Sequence, residues 1–153
     1  MKKKDIINGI KKGRSLRNYS KQWLEYKEVV LVAVKRNGQE LFYASKDLQA
    51  DKEVVLEAVK QNGFALKYAS KYLQADKKIV IEAVKQDGQG LIFASKELQK
   101  DKEVVTEAVK KNGLLLVYVN SDWQRDSEVV LEAVRQDELH YNMLVRICKK
   151  IKK

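Results

Sequence analysis

The sequence has no proline, one cysteine and one histidine in 153 residues. A single cysteine, Cys148, excludes a disulfide within the chain, and a lone histidine, His140, excludes the usual zinc sites built from several Cys and His ligands. No apolar run approaches the roughly 18 residues of a membrane-spanning helix. The first residues, MKKKDIINGIKKG, lack the apolar segment of a signal peptide. We therefore expect a cytoplasmic protein with no membrane partner, no metal site and no cofactor.

Catalytic side chains are also scarce. His140 and Cys148 are the one potential pair of general base and nucleophile in the sequence. Eight residues along a helix separate two side chains by about 12 Å, too far for a thiol–imidazole hydrogen bond of roughly 3 Å. The sequence thus predicts no catalytic residues and a protein that is not an enzyme.

A repeat with a period of 25 residues dominates what is present. Four copies align without a gap, and they begin at Tyr26, Asp51, Asp76 and Asp101. A fifth copy begins at Asp126 and departs from the pattern after Gln136. The sequence therefore predicts a basic N-terminal cap with a decayed half-repeat (1–25), four tandem repeats (26–125), and an atypical last repeat with a basic cap helix (126–153).

The first half of each repeat predicts an amphipathic helix. In the second copy, Asp51 is placed to cap the free N–H groups of a helix whose apolar residues recur at helical spacing. Those apolar residues are Val54, Val55, Ala58 and Val59. Asn62 and Gly63 then predict a left-handed stop at the end of the helix.

The second half predicts a shorter helix, so that each repeat is a helical hairpin. Leu66, Ala69, Ser70 and Leu73 recur at helical spacing and form one face of this helix. A strand is the competing interpretation, because segments such as LFYAS are rich in β-formers. No alternating pattern spans the four copies, and helix is preferred. Since one hairpin cannot bury its apolar face alone, the fold class predicted is all-α, an α-solenoid of tandem 25-residue helical hairpins.

Positive charge is concentrated at the two ends of the chain. There are 31 Lys and Arg against 21 Asp and Glu, which gives a net charge of +10 at pH 7. Residues 1–25 hold eight basic and two acidic residues, whereas residues 26–125 hold 17 basic and 14 acidic residues. Terminal units of an array must present a polar outer face, so we expect this charge to solubilise the caps. Attraction of nucleic acid is the alternative.

The segment KQNGFALKYAS, from Lys60 to Ser70, carries a resemblance to a known family. Together with its variants in the other copies, it resembles the repeat family described as domain of unknown function 4116, over about residues 26–137. That resemblance implies short helical repeats, often in tandem and sometimes attached to other modules. It implies no activity and supplies no catalytic residues.

An aromatic residue followed three residues later by lysine recurs in three units. The pairs are Tyr43 with Lys46, Tyr68 with Lys71, and Phe93 with Lys96. Stacked units would align them into a ladder whose rings stack on bases and whose ammonium groups meet phosphates. The competing interpretation is that the rings fill the packing between units and the lysines face water. Tyr118, which is followed by Ser121, breaks the ladder.

Residues that differ between units, mostly just after the repeated glycines, offer a second candidate surface. Gln39, Glu40 and Phe42 stand there in the first unit, and Leu114, Leu115 and Val117 in the fourth. If stacking determines the core residues, the varying residues are expected on a surface that selects a binding partner. Local repacking is the alternative explanation for their variation. The apolar stripe predicted to bind a partner is Phe42, Phe64, Tyr72, Ile92, Leu114 and Val117. The leading hypothesis is a scaffold that binds a protein or peptide through the second helices, and the alternative is a nucleic-acid-binding repeat protein.

Overall fold

The computed structural model describes residues 2–135, and every regular element in that part of the chain is a helix. The α-helices are α1 (Lys3–Lys11), α2 (Lys27–Arg36), α3 (Lys46–Gln49), α4 (Lys52–Gln61), α5 (Lys71–Gln74), α6 (Lys77–Gln86), α7 (Lys102–Lys111), α8 (Ser121–Arg125) and α9 (Ser127–Arg135). The 3-10 helices are Leu16–Asn18, Lys21–Glu25, Gly38–Tyr43, Gly63–Tyr68, Gly88–Phe93, Leu98–Lys100 and Gly113–Val117. His140, Cys148 and the predicted C-terminal cap helix lie outside the described residues.

Each repeat opens with the predicted long helix. In α4 the Asp51 carboxylate accepts hydrogen bonds from the N–H groups of Glu53 and Val54, at 3.0 and 3.1 Å. The carboxylate thereby satisfies two of the N–H groups that have no partner inside the helix. The predicted apolar face is fully buried in the first four copies, and in the fifth Val130 and Val134 are partly buried. The capped amphipathic helix is confirmed.

The second half of each repeat is helical, as predicted, and is not one continuous helix. In the second unit the chain forms a 3-10 helix over Gly63–Tyr68, passes through an extended residue at Ala69, and forms the one-turn helix α5. The hydroxyl of Ser70 accepts from the Leu73 N–H at 3.4 Å and so caps α5. The hairpin therefore has one straight arm and one arm broken at an extended residue.

The repeated glycines do not act as left-handed stops, and that prediction is wrong. Among the described residues only Gly13 has a positive φ, at 103°. Asn62 is extended instead, and its side chain accepts from the Phe64 N–H at 2.9 Å, which caps the following 3-10 helix. Gly63 is required by space: a methyl group there would overlap the carbonyl oxygen of Ala83 in the next unit.

The units stack into a solenoid with two layers. The long helices α2, α4, α6, α7 and α9 lie side by side in one layer, and the 3-10 helices form the second layer. The valines, leucines and alanines between the layers make one continuous core. Residues 3–25 follow the same element order, with α1 before two 3-10 helices, so the region predicted as a decayed half-repeat has the element order of a full unit. The all-α solenoid is confirmed.

An ion-pair ladder joins successive long helices along their N-terminal ends. Each capping aspartate also accepts from the lysine that begins the long helix of the preceding unit. The pairs are Lys27–Asp51 at 2.8 Å, Lys52–Asp76 at 2.6 Å, Lys77–Asp101 at 2.8 Å and Lys102–Asp126 at 2.9 Å. Hydrogen bonding from Lys52 holds the pKa of the Asp76 carboxyl below its ordinary value of 3.8, and the Ile79 N–H acts in the same direction. One aspartate thus caps its own helix and binds the lysine at the start of the preceding long helix.

This ladder predicts an acid-sensitive contribution to stability. The folded-state pKa of Asp76 is lowered, so its contribution is complete above the ordinary carboxyl pKa and is lost as the pH falls through the folded value. We expect Asp76→Asn to lower the free energy of unfolding by about 0.5 kcal/mol at pH 7, since Lys52 is exposed. Urea denaturation at pH 7, 5 and 3 should show the difference between wild type and variant shrinking at pH 3.

The matched control is a double-mutant cycle. In a Lys52→Met background the same Asp76→Asn change should have a smaller effect at pH 7, because the partner charge is already gone. An unchanged effect in that background would mean that the ion pair contributes nothing to stability.

Candidate functional site

The second layer is regular from the N-terminus to the third unit. The N–H of Ser70 donates to the carbonyl of Gln49 at 2.9 Å, and the N–H of Ser95 donates to the carbonyl of Gln74 at 2.8 Å. Ser45 makes the same bond to Leu24 at 3.0 Å. Each bond ties the broken arm of one unit to the short helix before it, and the 3-10 helices of these units pack against each other.

This regular pattern ends between the third and fourth units. Asn120 occupies the serine position, and the backbone hydrogen bonds of the described residues do not include one from its N–H to Gln99. The 3-10 helices Gly88–Phe93 and Gly113–Val117 do not pack as the preceding pairs do, although α6 and α7 remain in close contact. The indole of Trp123 donates to the Lys100 carbonyl at 3.2 Å, so that a side-chain hydrogen bond joins the two units in place of the backbone one. The third and fourth units are therefore separated in the second layer and remain packed together in the first.

The sequence changes at the residues that would make the missing bond. The first three units have a buried alanine before the capping serine, and the fourth has Val119 before Asn120. Alanine lets the backbone approach the preceding short helix, whereas valine adds two methyl groups and also lies in the core. The larger side chain therefore stands at the point where the contact between the third and fourth units is lost.

The opening forms a cleft of about 950 Å³. Aliphatic side chains of the third and fourth units face each other across it, and amides and lysines stand among them. The lining residues are Gln89, Leu91, Ile92, Lys96, Gln99, Lys100, Asn112, Leu114, Leu115, Val117, Tyr118, Val119 and Asn120. Ile92 and Tyr118 are 61% and 82% exposed. Such a concave, mostly aliphatic site has the size and lining of a ligand site.

The structure brings together three of the six residues predicted to bind a partner. Ile92, Leu114 and Val117 line the cleft, and the sequence analysis missed Tyr118 beside them. Tyr118 had been noted only as the residue that breaks the aromatic ladder. Its exposure sets it apart from the half-buried rings at the equivalent positions, and only the structure shows that difference.

The other three predicted residues do not join the cleft. The exposed ring of Phe42 lies between the rings of Tyr43 and Tyr68, with centroid distances of 5.0 and 5.2 Å. Phe64 is half-buried against Phe93, at 5.5 Å. Tyr72 projects alone from α5. The six predicted residues therefore do not form one stripe: three line the cleft, and the other three lie apart from it.

One set of varying positions is buried, against the expectation that varying positions lie on a surface. Two residues after each repeated glycine stand Glu40, Ala65, Gly90 and Leu115, and all four are buried. Glu40 accepts from the Leu16 N–H at 2.7 Å and from the Ser15 hydroxyl at 3.0 Å. Variation at this position adjusts the fit between units, and in the first unit it anchors the N-terminal cap.

The aromatic and lysine ladder is partly engaged within the protein. Tyr43, Tyr68 and Phe93 are half-buried against the core. The ammonium groups of Lys46 and Lys71 donate to the side-chain carbonyls of Gln49 and Gln74, at 2.9 and 3.0 Å. For the third lysine, Lys96, the hydrogen bonds of residues 2–135 include no such partner, and its side chain lines the cleft.

A glutamine in each unit was missed by the sequence analysis. The side-chain N–H₂ of Gln74 donates to the carbonyls of Leu66, Lys67 and Ala69, at 3.0, 3.3 and 3.2 Å. These carbonyls lie at the C-terminal end of the 3-10 helix and at the extended residue after it, and that of Leu66 also accepts from the Ala69 N–H at 3.2 Å. The equivalent residues Gln49, Gln99 and Gln124 make two such bonds each. The recurrence of glutamine at one position of the repeat was the available signal.

Residues 2–135 contain no group of three or more His, Cys, Asp or Glu side chains arranged to hold a metal ion. None of the helices within that range is long and apolar enough to cross a membrane.

Comparison with known proteins gives one finding. A family model described as a domain of unknown function, DUF4116, matches four overlapping segments, residues 26–74, 51–99, 76–124 and 101–151. Successive matches are offset by one 25-residue unit, so each covers two neighbouring repeats. No curated protein and no solved structure matches the chain.

Proposed function

Since the chain belongs to the DUF4116 repeat family, whose description carries no activity, we propose a function from its surface: a non-enzymatic scaffold that binds a peptide segment of another protein. The binding site is the cleft between the third and fourth units. The observation that carries the proposal is the local opening of an otherwise regular array, which leaves aliphatic side chains and Tyr118 facing solvent.

The composition of the cleft supports a peptide ligand. Its walls are aliphatic at Ile92, Leu114 and Val117, and its amide groups are suited to the backbone of an extended chain. Exposed apolar residues grouped in a concave site typically mark an interaction surface. Tyr118 supplies a large ring with few rotatable bonds, the type of side chain that dominates binding energy at interfaces.

Nucleic acid is the less favoured alternative. A modular single-strand binder needs exposed ring faces and unengaged cations along the array. In this chain the ladder rings are half-buried, and Lys46 and Lys71 already donate to glutamines. The net charge of +10 favours nucleic acid without placing it at any site.

The proposed function predicts selective enrichment of peptides. We expect the immobilised full chain to enrich clones from a phage-displayed library of random dodecapeptides. The triple variant Ile92→Ser/Val117→Ser/Tyr118→Ser should lower enrichment about tenfold or more, because it removes the apolar anchors of the site. The readout is the recovered clone count after each round of selection, with circular dichroism confirming that both proteins are folded.

A matched control removes exposed apolar surface elsewhere. Tyr72 and Leu131 are exposed outside the cleft, so Tyr72→Ser/Leu131→Ser should select the same peptides as wild type. Absence of enrichment on the wild-type chain would overturn the proposal. Single-stranded RNA binding that falls steeply with salt and is abolished by Lys46→Glu/Lys71→Glu/Lys96→Glu would replace it with the nucleic-acid alternative.

A further inference from the structure

We infer that the cleft between the third and fourth units takes an extended segment that combines large aliphatic side chains with acidic residues. This inference rests on the proposed function and specifies the chemistry of its ligand. It is drawn from the charged residues around the cleft, because the apolar walls alone do not indicate the charge of the ligand.

The cleft carries charge of one sign. Lys96 and Lys100 line it, both are exposed, and its lining includes no Asp or Glu. Two carboxylates adjoin these lysines in sequence, and both lie outside the lining. Asp101 is paired with Lys77, and the pKa of Glu97 is lowered by its own backbone N–H and by the charges of Lys100 and Lys96. A ligand with carboxylates therefore meets two cations in the lining, and the carboxylate of Glu97 beside them balances only part of their charge.

The availability of Lys96 is a consequence of the local break. In the first two units the equivalent lysines begin a short helix and donate to the side-chain oxygen of the glutamine that ends it. In the third unit that short helix is replaced by the 3-10 turn Leu98–Lys100, and Gln99 donates to the carbonyls of Ile92 and Ala94. The hydrogen bonds of the described chain pair no residue with the Lys96 ammonium. The break thus opens an apolar site, and among the described residues the Lys96 ammonium beside it has Glu97 as a charged neighbour and no hydrogen-bond partner.

Polar groups between the walls fit an extended backbone. Asn120 is exposed, and its side-chain oxygen accepts from the Trp123 N–H, which leaves its N–H₂ pointing away from that bond. Gln89 is exposed on the opposite side of the cleft. Amides at the two sides can donate to and accept from peptide groups of a bound segment. A volume of about 950 Å³ is near the upper end of the roughly 300–1,000 Å³ found for ligand sites.

The same charges disfavour a cationic occupant. The last residues of this chain, from Arg146 onward, include only basic charged residues, so electrostatics opposes their entry beside Lys96 and Lys100. The positive charges of the two lysines attract an acidic segment of another protein.

The test uses two peptide display libraries that differ only in charge. Both have apolar residues randomised among Leu, Ile, Val, Met and Phe at four positions; one library has three Asp or Glu, and the other three Lys or Arg. We expect the full wild-type chain to enrich the acidic library about tenfold over the basic one. In Lys96→Glu/Lys100→Glu this preference should be lost or reversed.

The matched control changes the same charges on the opposite layer. Lys78 and Lys85 are exposed on α6 in the same unit, so Lys78→Glu/Lys85→Glu should keep the wild-type preference. Equal enrichment of the two libraries, or a preference that Lys96→Glu/Lys100→Glu leaves unchanged, would overturn this inference and leave the proposed function standing. Failure of both libraries and of the random dodecapeptides would overturn both.

Discussion

Gly63→Ala should destabilise the protein by about 3 kcal/mol or more, although it adds one methyl group. The methyl carbon would overlap the carbonyl oxygen of Ala83 and come within 3.1 Å of the β-carbon of Asp87. Ala83 is in the last turn of α6 and Asp87 is the residue that follows it, so the backbone at the end of α6 would have to move. Urea denaturation followed by circular dichroism at 222 nm measures the loss.

The size of this effect comes from the repeat geometry. The 3-10 helix of one unit starts against the C-terminal turn of the long helix in the following unit, so any β-carbon at that point pushes two units apart. The same overlap recurs at Gly38 and Gly113, each against the alanine carbonyl of the next unit. The glycines therefore set the spacing of the solenoid.

Gly90→Ala is the matched control. A β-carbon there would lie 3.3–3.4 Å from atoms of Ala83, and the equivalent positions of other units hold Ala65 and Leu115. We expect a change of less than about 1 kcal/mol, because the geometry accepts a side chain at this point in the repeat. If Gly63→Ala is as mild as Gly90→Ala, close packing does not explain the repeated glycines.

Gln74→Glu should also cost about 3 kcal/mol at pH 7, with almost no change in side-chain shape. The side chain of Gln74 is 7% exposed, and its N–H₂ donates to three carbonyl oxygens. A carboxylate at this position would place a buried negative charge against those oxygens and would remove all three hydrogen bonds. Lys71 would offset only part of that cost.

The loss should be smaller in acid. Burial and the facing carbonyls raise the pKa of the introduced carboxyl, because they disfavour its charged form. Protonation restores a donor, so the stability difference between Gln74→Glu and wild type should shrink as the pH falls from 7 to 4.5. The aspartates of the ion-pair ladder have lowered pKa values and stay ionised over this range, as Asp76 and Asp101 illustrate.

Gln22→Glu controls for the added charge, since Gln22 is exposed in the first turn of a 3-10 helix. Its stability should stay within about 0.5 kcal/mol of wild type at both pH values. A Gln74→Glu variant with the stability of Gln22→Glu would mean that the carbonyls find other donors and that the repeated glutamine has no structural role.

The candidate site was partly predictable. Ile92, Leu114 and Val117 were identified as apolar residues at varying positions, and all three line the cleft. Phe42 and Phe64 fit the same rule and pack instead against rings of neighbouring units. A sequence pattern identifies apolar residues that are free to vary, and it does not show which of them a neighbouring ring covers.

The sequence by itself determined the units, their length, their capped long helices and their stacking into an all-α solenoid. The units and their stacking follow from the 25-residue repeat, and the long helices follow from the apolar spacing and the capping aspartates, which act over a few residues of chain. The tertiary structure alone decided the role of Gly63, the burial of Glu40 and the opening before Val119. Each of these depends on how closely two units approach, and that distance is set by side chains about 25 residues apart in the sequence.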